Sequence, residues 1–386
     1  MTEKLYYLDS HLAVFEAAVL ACERTKSGFA VELDRTAFFP EGGGQSADTG
    51  VLGGVRVLDV HETGGRILHH TDGPLPVGET VRGELNFEQR WRRMQNHSGE
   101  HSVSGLVHRA CGYDNVGFHM GAGAMTVDFN GELSRQQLSE IETAANAVVR
   151  ENLPVRAWLP SPEELASLDY RSKLELTENV RIVQIGDIDR CACCAPHVSQ
   201  TGEIGLIKLL DCGRHRGGVR VELVCGMDAL EWVRAHQESV TAVSQLLSAK
   251  RDEVAPAVER VLREKQQLKE RCDALSMALV ERMAADAGAS AGDLVVFDSL
   301  LDEVAQRELV NRLAKKAGRL AACFCGSDTE GWRYIIASRS VDLRAAGKAL
   351  NAAIDGRGGG RPDMIMGRAC ASSAQIEQGL AQLSLV

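Results

Sequence analysis

Two pairs of potential metal ligands constrain this chain more than any other feature of its sequence. His97 and His101 are four residues apart in a segment predicted to be helical, so one helical face presents both imidazoles in the same direction. Cys193 and His197 repeat this spacing almost a hundred residues later. Three imidazoles and one thiolate form a donor set that suits Zn²⁺. If both pairs bind one ion, the fold must bring two distant segments together.

The cysteine usage favours thiol or metal chemistry over disulfides. The eleven cysteines are an odd number, and four of them fall between residues 191 and 212. Cys191 and Cys194 flank Cys193 and compete with it as the thiolate donor. Two other interpretations stay open on spacing alone. Histidine pairs at helical spacing are common on protein surfaces, and buried cysteines often act as small hydrophobic side chains.

Composition places the chain among ordinary globular proteins. Hydrophobic residues make up 44% and charged residues 25% of its 386 residues, enough for two or three domains with their own cores. No run approaches the roughly 18 apolar residues of a membrane span. The N-terminus lacks the basic-then-apolar pattern of a signal peptide. We therefore expect a cytoplasmic protein.

The pattern along the chain predicts an α+β fold. Alternating apolar residues and glycine-rich turns at the N-terminal end are typical of short strands. Helices are predicted from about Gln89 to Ala110 and from Ser134 to Glu151, with Ser134 as an N-cap. The predicted segments are a glycine-rich, β-barrel-like domain at 1–90, a mixed α/β domain at 91–226, a helical linker at 227–288 and a C-terminal α/β domain at 289–386.

The predicted linker contains a seven-residue repeat typical of a coiled-coil seam. Pro256 interrupts it, and because proline is tolerated in a first helical turn we expect two helices broken near Lys250–Val254, arranged as a hairpin. The segment is either a spacer or a dimerisation seam. The repeating residues are Val240, Leu247, Val254, Val261, Leu268 and Leu275.

The C-terminal segment is basic although the net charge of the whole chain is −10. Between Arg307 and Arg368 there are twelve Lys or Arg against six Asp or Glu, a local charge of +6. This asymmetry suits a phosphate backbone bound at one end of the molecule, and a solvated face without a partner is the alternative. The glycine-rich stretch Asp355–Asp363 is predicted to be a loop.

Several motifs resemble those of one family. The two donor pairs, with Thr201–Gly205 after the second, look like the editing domain of alanyl-tRNA synthetase and its freestanding AlaX relatives. Thr36–Gln45, followed by Asp48–Gly50, is similar to the glycine-rich motif of that family. Gly358–Met364 resembles the glycine-rich signature of the synthetase's C-terminal, tRNA-contacting domain. The motif order is similar to that of the long AlaX type, so we expect no aminoacylation domain.

The resemblance implies a hydrolase that removes serine, or glycine, from mischarged tRNA for alanine. It makes 91–226 a zinc-dependent editing domain and, by its Cys-x3-His spacing, selects Cys193 as the thiolate. This chain departs from the family pattern at Cys194-Ala195-Pro196, between the second pair of ligands, and at Glu100, where the synthetase has a threonine that helps to sort amino acids. The implied zinc ligands are His97, His101, Cys193 and His197.

The resemblance also implies catalytic residues around the metal. We expect Glu100 to act as a general base or to orient a ligand, the alternative being a carboxylate on the helix surface. Gly43, Gly44 and Gln45 are expected to contact the ester or the terminal adenosine, the alternative being a tight turn. His119 is expected to line the pocket, and a buried structural histidine is equally compatible with the sequence.

The coordination of the implied zinc stays open on the sequence. Four protein ligands would fill a tetrahedral site, whereas a catalytic zinc keeps one position open. Either one ligand, for which His197 is our choice, binds loosely, or the zinc becomes five-coordinate, or it binds the α-amino group of the substrate.

The partner implied by the resemblance is tRNA(Ala) charged with serine or glycine. We expect that removing residues after about Ala289 weakens tRNA affinity, and that a homodimer forms through the 228–287 helices or the C-terminal domain. The residues expected to bind tRNA are Arg339, Arg344, Lys348, Arg357, Gly359, Gly360 and Arg361.

Three other functions remain to be weighed. His97-x-x-Glu100-His101 matches the H-x-x-E-H pattern of zinc peptidases, although those enzymes use a downstream glutamate as the third ligand. A non-catalytic RNA-binding protein with a structural zinc would explain the basic tail and the four ligands. Serine on tRNA for threonine is a further substrate, because threonyl-tRNA synthetase carries a related editing domain.

Overall fold

The computed structural model describes residues 2–121, 123–172 and 180–382. The chain divides into two compact units, residues 1–242 and residues 243–386. Both contain helices and strands, which confirms the α+β class. The unit boundary falls inside a helix, and the division into four segments stays a prediction. None of the helices in the described ranges is long and apolar enough to cross a membrane.

Six strands at the start of the first unit hydrogen-bond in a closed ring, in the order β2-β3-β7-β6-β5-β8. Their inward residues surround a core that includes Leu33, Phe38 and Leu52. β1 and β4 form a separate parallel pair. The strands are β1 (Glu3–Lys4), β2 (Val14–Thr25), β3 (Gly28–Leu33), β4 (Arg35–Thr36), β5 (Gly50–Leu52), β6 (Val55–Thr63), β7 (Arg66–Thr71) and β8 (Thr80–Leu85).

Helix α1 (Phe87–Cys111) follows the closed sheet and matches the predicted helix. Asn86 caps its first turn, and Gly112 ends it in the left-handed conformation. Arg90 is fully buried and pairs with Asp48, and it also donates to the backbone carbonyl of Ala37. Because a buried ion pair that loses one partner is strongly destabilising, this contact fastens α1 to the sheet.

The rest of the first unit packs two open sheets around α1. One sheet has the order β14-β15-β10-β9 and the other β11-β12-β13, and α1 contacts β13, β15 and α2. Ser134 caps α2 as predicted. The elements are β9 (Asn115–Met120), β10 (Met125–Phe129), α2 (Arg135–Glu151), β11 (Val155–Trp158), α3 (Pro162–Ser167), β12 (Ile182–Ile185), β13 (Asp189–Ala192), β14 (Ile207–His215), β15 (Gly218–Cys225) and α4 (Gly226–Leu246).

The second unit is a five-stranded sheet, ordered β16-β17-β18-β20-β19, with helices on both faces. The predicted break in the helical linker is confirmed: α4 ends at Leu246, α5 starts at Val254, and Pro256 lies in the first turn of α5. The elements are α5 (Val254–Asp286), β16 (Leu294–Asp298), α6 (Glu303–Leu313), β17 (Ala321–Ser327), β18 (Gly331–Ala337), α7 (Leu343–Ala353), β19 (Gly356–Arg361), β20 (Met364–Ala369) and α8 (Ser373–Ala381).

The glycine-rich stretch predicted to be a loop is instead an edge strand, β19, paired antiparallel with β20. Its glycines are needed for packing. The Tyr334 hydroxyl donates to Asn351 Oδ1 at 2.7 Å, and a Cβ at Gly358 would lie 2.4 Å from that hydroxyl. The prediction was wrong because turn propensity was weighted above the tertiary contacts that decide strand formation.

Candidate metal centre

The structure brings the two predicted donor pairs together in the first unit. His97 and His101 face one direction on α1, and Cys193 and His197 lie in the segment that follows β13. One ligand atom from each lies within 4.8 Å of the others. The three histidines are at most 3% exposed. A single ion placed among them would therefore be shielded from solvent.

The donor distances fit a tetrahedral ion. Cys193 Sγ lies 3.5 Å from His97 Nε2 and 3.4 Å from His197 Nε2. A tetrahedron with Zn–N bonds of about 2.0 Å and a Zn–S bond of about 2.3 Å has an N···S edge of about 3.5 Å. These two separations are compatible with a metal ion bound by the four side chains.

Each histidine of the cluster also has a hydrogen-bond partner on the side of its ring that faces away from the other donors. Its Nδ1 lies within hydrogen-bond distance of a neighbouring side chain, so its Nε2 points toward the other donors. Partners of this kind fix the tautomer and ring orientation of metal-binding histidines. The pairs are His97 with Gln45 Oε1 at 2.9 Å, His101 with Asp189 Oδ2 at 2.9 Å, and His197 with Ser98 Oγ at 3.0 Å.

Electrostatics distinguish Cys193 from the two neighbouring cysteines. Burial raises the pKa of the Cys193 thiol, but the His97 and His197 imidazoles outweigh burial and hold that pKa well below its ordinary value. Burial raises the pKa of Cys191 and of Cys194 to about 11. Since the thiolate is the metal-binding form, Cys193 is the cysteine of the three that is prepared as a ligand.

The glycine-rich loop supports the cluster from the closed sheet. Gly42 and Gln45 exchange backbone hydrogen bonds in a tight turn. Gly44 has φ +83°, and a Cβ there would lie 2.7 Å from the carbonyl oxygen of Phe118, so the position requires glycine. Gln45 is buried, and its side-chain Nε2 has no hydrogen-bond partner in the described parts of the chain. The loop thus places Gln45 next to His97, and the buried Nε2 of Gln45 remains available as a hydrogen-bond donor.

A cavity of about 340 Å³ opens beside the four donors. His97, His101 and Cys193 form part of its wall. This volume is in the range of small-molecule sites. Other residues lining it are Tyr7, Gly43, Glu100, Asn115, Arg171 and Arg181.

Glu100 belongs to the cavity wall and is only 2% exposed, so it is not a carboxylate on the helix surface. Its Oε1 accepts hydrogen bonds from Ser104 Oγ and Asn115 Nδ2, both at 2.5 Å. Its Oε2 lies 3.9 Å from His101 Nε2. The carboxylate is therefore fixed next to the donor cluster.

His119 lies apart from the cluster. It is exposed on β9 and is not among the described residues that line the cavity. Successive side chains of a strand point to opposite faces, and it is Phe118 whose ring packs 4.9 Å from the ring of His97. The expectation that His119 lines the pocket is not supported, because the strand register turns its neighbour inward.

Comparison with known proteins agrees with this geometry. The family model described as "Threonyl and Alanyl tRNA synthetase second additional domain" matches residues 180–224, which include Cys193 and His197. The alanyl-tRNA editing protein AlaX-L of Pyrococcus horikoshii is 27% identical over 97% of this chain and 96% of its own length. This chain is therefore similar to an alanyl-tRNA editing protein along nearly the whole length of both.

The same comparison extends to alanine–tRNA ligases. The enzyme of Halobacterium salinarum is 33% identical over 87% of this chain, and that of Ignicoccus hospitalis is 29% identical over 99% of it. The chain spans about two fifths of the length of these ligases, 38% and 43% respectively. Homology to the editing protein, by contrast, covers nearly all of both chains.

Two residues of this site were not predicted from the sequence. Asp189 accepts from His101 and also from Arg171 Nε, at 2.7 Å from Oδ1. Arg181 donates to the backbone carbonyls of Cys193 and Ala195, at 3.1 and 2.9 Å, and holds the ligand loop in place. Asp189 lies four residues before Cys193, the spacing found within both donor pairs, and this was the available signal for it. Arg181 has no such spacing to a donor.

The predicted RNA-contacting residues fall on two faces of the second unit. Arg344 and Lys348 are exposed on α7, which packs on the sheet face containing Tyr334, and Arg344 pairs with Asp342. Arg339 precedes α7 and is exposed. Arg357, Gly359, Gly360 and Arg361 lie on β19. The predicted set is therefore divided between β19 and the segment from Arg339 through α7.

Proposed function

We propose that this protein hydrolyses the ester bond of mischarged tRNA(Ala), releasing serine or glycine. Its relative from Pyrococcus horikoshii bears the name alanyl-tRNA editing protein, which supports the proposal. The observation that carries the proposal is the convergence of His97, His101, Cys193 and His197 beside a cavity large enough for an aminoacyl group. A synthetase pocket shaped for alanine cannot strongly reject a side chain that adds one hydroxyl, and discrimination there is limited to roughly 100-fold. A separate hydrolytic site supplies the remaining accuracy.

We propose Zn²⁺ as the metal of this site. The N₃S donor set, the 3.4–3.5 Å separations from sulfur and the buried surroundings support it. Bound zinc would supply Lewis acidity toward an ester carbonyl, water or amino group. The low pKa of Cys193 keeps the thiolate ready to bind, and Gln45, Ser98 and Asp189 orient the imidazoles.

The other wall residues would position the substrate. Glu100, held by Ser104 and Asn115, can accept a hydrogen bond or a proton from a group in the cavity. Gly43 leaves backbone exposed at the wall, whereas Gln45 is not among the described residues that line the cavity and would act by orienting His97. We assign these roles to Glu100, Gly43, Gly44 and Gln45, and none to His119.

We propose that the second unit binds the RNA part of the substrate and that the protein is cytoplasmic. The local charge of +6 supports the first proposal. Arg339, Arg344, Lys348, Arg357, Gly359, Gly360 and Arg361 remain the candidate contacts. We also propose a homodimer through α5, whose heptad residues Val261, Leu268 and Leu275 are 44–63% exposed.

Deacylation assays test the proposed function directly. Purified protein should release serine from Ser-tRNA(Ala) much faster than alanine from Ala-tRNA(Ala), with glycine measured in parallel. Metal analysis should find about one zinc per chain, and a chelator should abolish the activity. His97→Ala should remove the activity while the fold survives, whereas the exposed His236→Ala should leave it unchanged. No hydrolysis of any of the three charged tRNAs would overturn the proposal.

A non-catalytic RNA-binding protein with a structural zinc is the second candidate, because four buried protein donors resemble a closed structural site. Under this alternative His97→Ala would unfold the first unit, and the wild-type protein would bind tRNA without hydrolysing it. A peptidase is less well supported. The donors beside His97 and His101 in the four-membered cluster are Cys193 and His197, and no downstream glutamate of the described residues takes part in it.

A further inference from the structure

Three arginines occupy directly opposed positions on adjacent strands of the second unit. Arg333 on β18 is opposite Arg368 on β20, and Arg368 is opposite Arg357 on β19. We call these three residues the arginine row. Neighbouring strands lie about 4.8 Å apart, so the row spans about 10 Å across the sheet.

The row lies on one face of the sheet. Trp332 and Tyr334, on either side of Arg333, are buried in the core beneath α7 and α8. Because side chains alternate along a strand, Arg333 points to the opposite face, and the register places Arg368 and Arg357 on that face as well. This is the face that α6 only partly covers: α6 contacts β17 and β18, and its Arg307 reaches Met366 on β20 at 3.7 Å.

No carboxylate among the described residues forms an ion pair with the row. Like charges directly opposite each other on neighbouring strands destabilise a sheet. Arg333 donates to two neutral groups, Gln306 Oε1 at 2.7 Å and the carbonyl oxygen of Leu301 at 2.9 Å. Arg368 and Arg357 are exposed, and neither forms an ion pair with any described residue. The three guanidinium groups repel one another in the folded protein, and a bound anionic ligand would relieve this repulsion.

The space in front of the row is open. A cavity of about 560 Å³ is lined by the three arginines, together with the carboxylates of Glu303 and Asp355, which form no ion pair with them in the described parts of the chain. Two residues along from Arg357, Gly359 has nothing within 4 Å of the place where a Cβ would stand. The exposed Arg361 continues the same face of β19.

We propose that the arginine row binds phosphate groups of the RNA backbone, with Arg357 and Arg368 as the main contacts and Arg333 as the inner end. This inference rests on the proposed function, because it takes the RNA of that substrate as the ligand. Arginine guanidinium groups match phosphate oxygens in a bidentate geometry, which explains a row built from arginine rather than lysine. The α7 face, where Arg344 is already paired, would then contribute less.

The test compares two full-length variants that lose the same charge. Arg357→Gln/Arg368→Gln removes the exposed members of the row, and Arg260→Gln/Arg282→Gln removes two exposed arginines of α5 that pair with their own helix. Dissociation constants for uncharged tRNA(Ala) are measured at several salt concentrations, with Ser-tRNA(Ala) deacylation followed in parallel. Circular dichroism confirms that each variant is folded.

We expect the row variant to bind tRNA(Ala) about tenfold more weakly or worse, with a log–log salt slope smaller by about two. KM for Ser-tRNA(Ala) should rise while kcat stays unchanged. Affinity and slope equal to those of the α5 variant would overturn the inference and leave the proposed function standing. The wild-type protein could hydrolyse none of the charged tRNAs while the row variant still binds tRNA(Ala) more weakly than the wild type. That result would support RNA binding by the arginine row and overturn the proposed function.

Discussion

At the scale of single residues, Gln45 connects the glycine-rich loop to the donor cluster. It accepts from His97 Nδ1 at 2.9 Å, whereas Asp189 and Ser98, the partners of His101 and His197, lie on β13 and α1. We predict that Gln45→Leu lowers Zn²⁺ affinity by about 10–100-fold, the usual effect of removing such a partner. Competition with a chromophoric chelator measures the affinity.

Gln45→Glu is the matched control for this prediction. Its carboxylate can still accept from His97 Nδ1, so affinity should stay within a few-fold of the wild type. Equal zinc affinity in the leucine and glutamate variants would show that His97 is oriented by other contacts.

His69 should make stability depend on pH independently of the metal. It is fully buried, with Nδ1 donating to the Val31 carbonyl and Nε2 accepting from the Thr36 hydroxyl. Burial lowers its pKa from 6.5 to about 4. In the unfolded chain His69 therefore becomes protonated below about pH 6.5, whereas in the folded protein it stays neutral down to about pH 4. The stabilisation is complete above pH 6.5 and decreases as the pH falls, by about 3 kcal/mol in total.

Urea unfolding between pH 4 and 7 tests this prediction. The free energy of unfolding of the wild type should fall more steeply with decreasing pH than that of His69→Gln, by about one proton per molecule in the steepest part. Parallel curves for the two proteins would mean that His69 does not carry the effect.

At the scale of elements, α5 exposes an apolar stripe along its middle. Leu268 and Leu275 are 63% and 62% exposed, whereas Val280 and Ala284 near the C-terminal end are buried against α6. Seven-residue spacing places the exposed residues on one side, the geometry in which a second copy packs. We predict that Leu268→Glu/Leu275→Glu converts a dimer into a monomer without unfolding the protein.

Sedimentation equilibrium at micromolar concentration measures the state of this variant. The control is Arg263→Glu, which introduces negative charge on the same helix next to Glu259 rather than on the apolar stripe. A wild-type protein that is monomeric under the same conditions would contradict the prediction.

The helices and strands also explain which residues of the site could be predicted from the sequence. The donor pairs were found because i,i+4 spacing on α1 and in the loop after β13 is a local property. The inward side of β9 was not found, because the sequence alone does not say whether Phe118 or His119 faces the core. A change of register by one residue exchanges the two.

At the scale of the whole molecule, the two units divide the proposed work. Cutting after Ala289 would separate α5 from α6, since Val280 and Ala284 belong to the same core as Leu309. A chain ending at Ala249 keeps α4 and removes everything that follows, which is nearly all of the second unit. We predict that residues 1–249 keep kcat for Ser-tRNA(Ala) and have KM raised about tenfold or more, because the second binding module is lost.

Deacylation kinetics with Ser-tRNA(Ala) and with a serine-charged minihelix measure this prediction. The minihelix lacks the remote RNA that the second unit would bind, so it should be hydrolysed with similar KM by the full-length and truncated proteins. Equal KM of the two proteins for full tRNA would contradict the division of work.

The sequence by itself determined what depends on neighbours along the chain: the extent of α1 and α2, the Ser134 cap of α2, the break before Pro256, the donor pairs and the basic tail. Only the tertiary structure decided what depends on distant segments. It surrounded Cys193 with the imidazoles that lower the pKa of its thiol and placed Gln45, Ser98 and Asp189 behind the ligands. It also turned the glycine-rich stretch into β19 and aligned the arginine row. Helical spacing and capping are fixed by local backbone geometry. Register, burial and electrostatic environment exist only once remote strands and helices have packed together.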